Sequence, residues 1–161
     1  MAQTMRLLGY VASALGNHEL DFGQDPVRDN AKLQGYDFLA ANVTWDSSSP
    51  GLPVKPMLMV RRAGIQIAIV GIATRSTPAR LLPESSKGLV FTDEEQALDQ
   101  SISDAWKAGA DVVISASHVC PNDVAAYVNK HPEWHLAFAG AGHCHFTASQ
   151  MAGPTPVLEP G

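Results

Sequence analysis

The sequence predicts an α/β fold, specifically a layered α/β sandwich, on three observations. Short apolar runs alternate with helix-spaced segments in both halves of the chain. One run, residues 65–72 (IQIAIVGI), is apolar enough for burial on both faces. The chain has 161 residues, 45% hydrophobic and 17% charged, enough for a single domain over 1–161 with its own core. At this size folding buries about 68–70% of the unfolded surface, so no metal or disulfide staple is required for stability.

The elements follow in order. Residues 10–15 (YVASAL) read as a strand, 25–33 as a helix and 37–43 (DFLAANV) as a second strand, which makes a strand–helix–strand unit. Residues 46–56 (DSSSPGLPVKP) concentrate Ser, Gly and Pro and read as a surface loop inside the domain. Residues 57–61 and 65–72 flank Ala63-Gly64 as a hairpin. Over 93–108 a helix is expected: Thr92 and Glu95 have capping-box spacing, Leu98, Ile102 and Ala105 recur at helical spacing, and Gly109 marks the exit. Residues 111–116 (DVVISA) then read as a strand, 122–129 as a helix and 136–139 (LAFA) as a strand.

Charge excludes some partners. Eleven Lys+Arg stand against 16 Asp+Glu, for a net charge of −5, with no basic run. Neither nucleic acid nor an anionic membrane is expected as a partner. No stretch approaches the ~20 apolar residues of a membrane span, and residues 1–16 lack the cationic region, apolar core and cleavage site of a secretory signal. Cys120 and Cys144 are compatible with two thiols or one bridge, which leaves the compartment open.

The histidines carry the functional signal. Four of the six, His18, His118, His143 and His145, fall within a few residues of the ends of expected strands. Loops beyond strand carboxyl ends are where layered α/β folds bind ligands. Imidazole is a common ligand for zinc and similar ions, and Gly140-Ala-Gly-His-Cys-His145 presents two rings on one glycine-containing loop. His131 and His135, around Pro132-Glu-Trp134, read instead as solvated loop residues outside the site.

The joint set Gly16-Asn-His-Glu-Leu-Asp-Phe-Gly23, Ala41-Asn42-Val43, the run Gly64 to Ile72 followed by Thr74, Thr77 and Pro78, Ser117-His118 and Gly142-His-Cys-His145 resembles the calcineurin-like metallophosphoesterase superfamily, in its 5'-nucleotidase-like branch. The resemblance implies a fold of the metallophosphoesterase type and a divalent-metal-dependent phosphoester hydrolase. In it Asn17, His118 and His143 hold one ion, and His145 contributes to a second. His18 would be the catalytic histidine, held by Asp21. Attack would be in line, by a metal-bound water, on a small phosphorylated substrate such as a nucleotide. The ions would be Zn, Mn, Mg, Fe or Ca. Cys144, between two ligands, is expected to pack beside the site, and Cys120, two residues after His118, could approach Cys144.

The family also uses an Asp-x-His and a Gly-Asp strand end upstream of this point. Neither is present: no Asp here is followed two places later by His or preceded by Gly. The expectation is therefore a partial catalytic domain, incomplete at its N-terminal side and without the C-terminal substrate-recognition domain. A preceding segment or a partner chain would complete it. Without the bridging carboxylate, one ion, weakly held, is expected. Two alternatives keep the fold: a catalytically incomplete fragment or metal-binding module, and a thiosulfohydrolase-like enzyme, against which Leu20-Asp-Phe-Gly23 argues. Family members are often exported, so localisation stays open.

Overall fold

The computed structural model describes residues 2–161. In chain order the first half holds α1 (Ala2–Leu7), β1 (Ala12–Ala14), α2 (Gln24–Gln34), β2 (Asp37–Leu39), β3 (Val43–Trp45), β4 (Val54–Lys55), β5 (Met57–Arg62) and β6 (Ile65–Ala73). The second half holds β7 (Leu89–Phe91), α3 (Glu94–Lys107), β8 (Val112–His118), α4 (Pro121–Lys130), β9 (Phe138–Gly140), β10 (Thr147–Ala152) and β11 (Thr155–Pro160). None of these helices is long and apolar enough to cross a membrane.

Period-2 burial along β6 sets the layers. Ala68, Val70 and Ile72 point to one face, where they pack with Leu98, Ile102 and Ala105 of α3 and with Val124 and Val128 of α4. The sheet under those helices runs β10-β11-β9-β8-β6-β5, parallel through its centre and antiparallel at both edges. On its other face lies the parallel sheet β1-β2-β4, with a second core of Leu15, Leu20, Val27, Phe38, Val43 and Ala73. The two sheets touch at Gly71: a Cβ there would stand 2.0 Å from Leu39 Cβ, so only glycine lets β2 lie on β6. The layered α/β class is as the sequence predicts.

Several elements differ from the expectation. Residues 37–43 form two strands, because at Asn42 the chain turns inward. The buried Asn42 amide donates to Ala73 O at 2.7 Å and accepts from Ala73 N–H at 3.0 Å, after which β3 leaves to pair with β7. The Ser/Pro loop contains the short strand β4, parallel to β2. The run 65–72 is buried on both faces only from Val70 onward, where β2 covers it; Ile65 is exposed. The cap of α3 is Asp93, whose carboxylate accepts from Gln96 N–H, while Thr92 donates its hydroxyl to Asn42 O. Strand β8 runs on to His118 itself. The hairpin turn at Ala63-Gly64 has positive φ at both residues, as a type I′ turn requires. The β10–β11 hairpin has no counterpart in the sequence reading.

Candidate metal centre

Three strand ends converge. After β1, Leu15 anchors in the core and a short 3₁₀ turn over Asn17–Leu20 carries Asn17 inward and His18 outward. From the next sheet β8 ends on His118, and β9 is followed by the loop bearing His143 and His145. Gly16 is needed here: a Cβ would lie 3.0 Å from His118 Cε1 and 3.1 Å from its Nδ1, so the ring packs on bare backbone.

The ligand atoms meet at that point. Asn17 Oδ1 lies 2.9 Å from His118 Nε2 and 3.1 Å from His143 Nδ1, and the two ring nitrogens are 3.1 Å apart. Two ligand atoms at zinc-like distances on a tetrahedral ion stand about 3.4 Å apart, so this triangle is close to what one shared cation would impose. One oxygen and two imidazole nitrogens are also the donor chemistry that zinc and its neighbours accept. The residues present fit the ion. His118 is half-buried, and burial first, then the charge of His143, pushes its pKa down to about 4. His143 is shifted in the same direction, by burial and then by Arg80. Both rings are therefore neutral at pH 7, the form that ligates.

His18 stands at the rim. Its Nδ1 is 2.8 Å from Asp21 Oδ2, both side chains being largely exposed, and its ring centroid is 6.5 Å from that of His145. Asp21 also ends the 3₁₀ turn with its backbone N–H on His18 O, so capping and ring orientation are both its work. All six residues singled out in the sequence, Asn17, His18, Asp21, His118, His143 and His145, thus lie at one end of the sandwich.

Of the two states the sequence left open for Cys120 and Cys144, the structure has the bridge: they form a disulfide beside the site, with Cα atoms 5.2 Å apart. Two features escaped the sequence reading. Glu159, buried on β11, accepts the His145 N–H at 2.9 Å, and nothing local in the sequence marks it for that task. His131 is no free loop residue. It is half-buried, stacks on Trp134 with ring centroids 4.4 Å apart, and bonds Glu133 at 2.8 Å and Glu95 at 3.0 Å. Burial alone would lower its pKa, but the bonds to Glu133 and Glu95 outweigh that and raise it. Asp99, His131 and Glu133 also lie within metal-ligand spacing of one another, at the far end of α4 from the triangle; there Asp99 Oδ1 accepts from Trp134 Nε1 and Glu133 Oε1 is bonded to His131 Nδ1. His135 is exposed, as expected.

No protein-family model matches the chain. Protein UshA of Escherichia coli (strain K12) is 31% identical over 118 residues, covering 71% of this chain and 21% of that protein. The solved 5'-nucleotidase precursor from Thermus thermophilus superposes with a TM-score of 0.79 at 21% identity, covering 98% of this chain and 34% of that one. The calcineurin-like phosphoesterase YfkN from Bacillus subtilis gives a TM-score of 0.80 at 19% identity, covering 97% of this chain and 56% of that one. Over about 71% of its length the chain is thus similar to the 5'-nucleotidase-like branch of the calcineurin-like phosphoesterases. This 5'-nucleotidase-like chain spans about a fifth of the length of a relative such as UshA.

Proposed function

We propose that this chain is part of a divalent-metal-dependent phosphoester hydrolase of the 5'-nucleotidase type. Asn17, His118 and His143 hold one ion, His145 reaches toward a second, and His18 with Asp21 forms the proton-donating pair. The observation that carries this reading is the 2.9–3.1 Å triangle of Asn17 Oδ1, His118 Nε2 and His143 Nδ1. When bound, divalent ions supply Lewis-acid stabilisation of the charge on phosphoryl oxygens. The chain's own groups do the remaining work. Asp21 accepts from His18 Nδ1, which fixes the ring, stabilises its imidazolium and leaves Nε2 to donate a proton to the departing oxygen. Relatives named 5'-nucleotidases support a nucleotide as the phosphorylated substrate.

The sequence lacks the Asp-x-His and Gly-Asp motifs, whose groups include the carboxylate that bridges a pair of ions, so the residues here account for one full position and part of another. A preceding segment or a partner chain would bring the missing groups. The test is aryl phosphate hydrolysis with added Mn²⁺ or Zn²⁺, comparing this chain with a form extended upstream through those motifs. The extended form is expected to be far faster, with His18→Ala lowering its rate. Equal rates would refute the incompleteness, and an inert extended form would favour a non-catalytic metal-binding module.

A further inference from the structure

The Cys120–Cys144 disulfide joins the segment just after β8, the strand that ends on His118, to the loop that bears His143 and His145. Cys120 is two residues beyond His118 and directly precedes α4; Cys144 sits between His143 and His145. Those two histidines have left-handed backbone, with φ of +84° and +56°, a conformation that persists in non-glycine residues only where the surroundings impose it. Hydrogen bonds hold the loop on either side. Ala141 N–H donates to Leu158 O at 2.8 Å, Gly142 N–H to Val119 O at 3.2 Å and His145 N–H to Glu159 Oε1 at 2.9 Å. Among the described residues no such bond fixes Cys144 itself, so between the two left-handed histidines the disulfide is the tie.

We propose that the Cys120–Cys144 disulfide is a positioning element of the metal centre, holding His143 Nδ1 against His118 Nε2 and Asn17 Oδ1, and that its reduction lowers the affinity for a divalent ion. This rests on the metal-centre reading above. The chemistry balances with a dithiol as reductant: two electrons and two protons pass to the bridge, the S–S bond breaks, Cys120 and Cys144 become thiols, and the dithiol closes to its own disulfide. The His143 loop is then free to leave its left-handed conformation. An ion must afterwards order a ligand set whose members lie far apart in sequence, where before it met one already assembled. Loss of an outer support of this kind typically costs about 10- to 100-fold in metal affinity.

The test uses the full chain in three forms: oxidised, reduced by a dithiol and freed of it, and Cys120→Ser/Cys144→Ser. Co²⁺ is titrated in by visible absorption, and the His145 amide, protected by Glu159, is followed by hydrogen exchange without metal. The expected result is one Co²⁺ bound by the oxidised form, about 10- to 100-fold weaker binding by the other two, and faster His145 exchange in both. Far-UV circular dichroism checks folding, and should the double variant unfold, the reduced wild-type chain gives the answer. Equal Co²⁺ affinity in all folded forms leaves the metal centre standing and overturns the role of the bridge. Failure of the oxidised form to bind Co²⁺ at all overturns the metal-centre reading, and the positioning role with it.

Discussion

Acid should unfold this protein through His118. The perturbation is a fall in pH from 7.5 to 4 without metal, and the magnitude follows from burial of one ring. In the fold, desolvation and then the charge of His143 push the His118 pKa from 6.5 to about 4. The folded pKa is depressed, so between those values the unfolded chain holds a proton that the folded chain refuses. Stability from this ring is full above about pH 6.5 and is lost as the pH falls toward 4. The gap corresponds to roughly 3.4 kcal/mol at full strength. Solvent reaches part of the ring, so about 2 kcal/mol is the reasonable expectation. Urea unfolding followed by the fluorescence of buried Trp134, at half-unit pH steps, measures it for the wild type and for His118→Asn. The wild type should lose about 2 kcal/mol more than the variant over that range. Identical pH dependence would show that His118 is charged without cost in the fold, and would refute the argument.

Gly71→Ala should destabilise by about 3 kcal/mol or more in urea unfolding, because the new methyl meets Leu39 Cβ at 2.0 Å and Leu39 backbone at 2.6 Å, which cannot swing aside. Asn42→Ala should cost about 2–4 kcal/mol by the same measurement, since it strands the Ala73 N–H and C=O in the interior. Gly16→Ala should act on the site more than on the fold. The Cβ displaces the His118 ring and the movable Glu19 carboxylate, so Co²⁺ affinity should fall about tenfold while stability changes by less than about 1 kcal/mol.

Where local chemistry decides an element, the sequence alone was enough to read it. The hairpin over Ala63-Gly64 has its positive φ pair, the helix marked by Leu98, Ile102 and Ala105 buries those residues, and the histidines were found because strand ends can be located from apolar runs. Residues 37–43 show the limit. Their composition is that of one strand, but an Asn42 side chain 31 residues from its partner Ala73 breaks the run in two. Likewise His131 looked like a loop residue because Glu95, one of the groups that hold it, comes from α3, 36 residues away, and no local pattern joins the two.

By itself the sequence determined the α/β class and the order of most strands and helices, because periodicity and turn chemistry are properties of neighbouring residues; it singled out four histidines by their place near strand ends, whereas Asn17 and Asp21 came from the family resemblance. Only the tertiary structure decided that Asn17, His118 and His143 share a point in space, that Cys120 and Cys144 are bonded, and that Glu159 holds the His145 amide. Those are contacts between segments far apart in the chain. The Asn17 contacts depend on how two sheets stack across Gly71 and Leu39, the others on β8, β9 and β11 lying side by side in one sheet, and no local spacing rule encodes either.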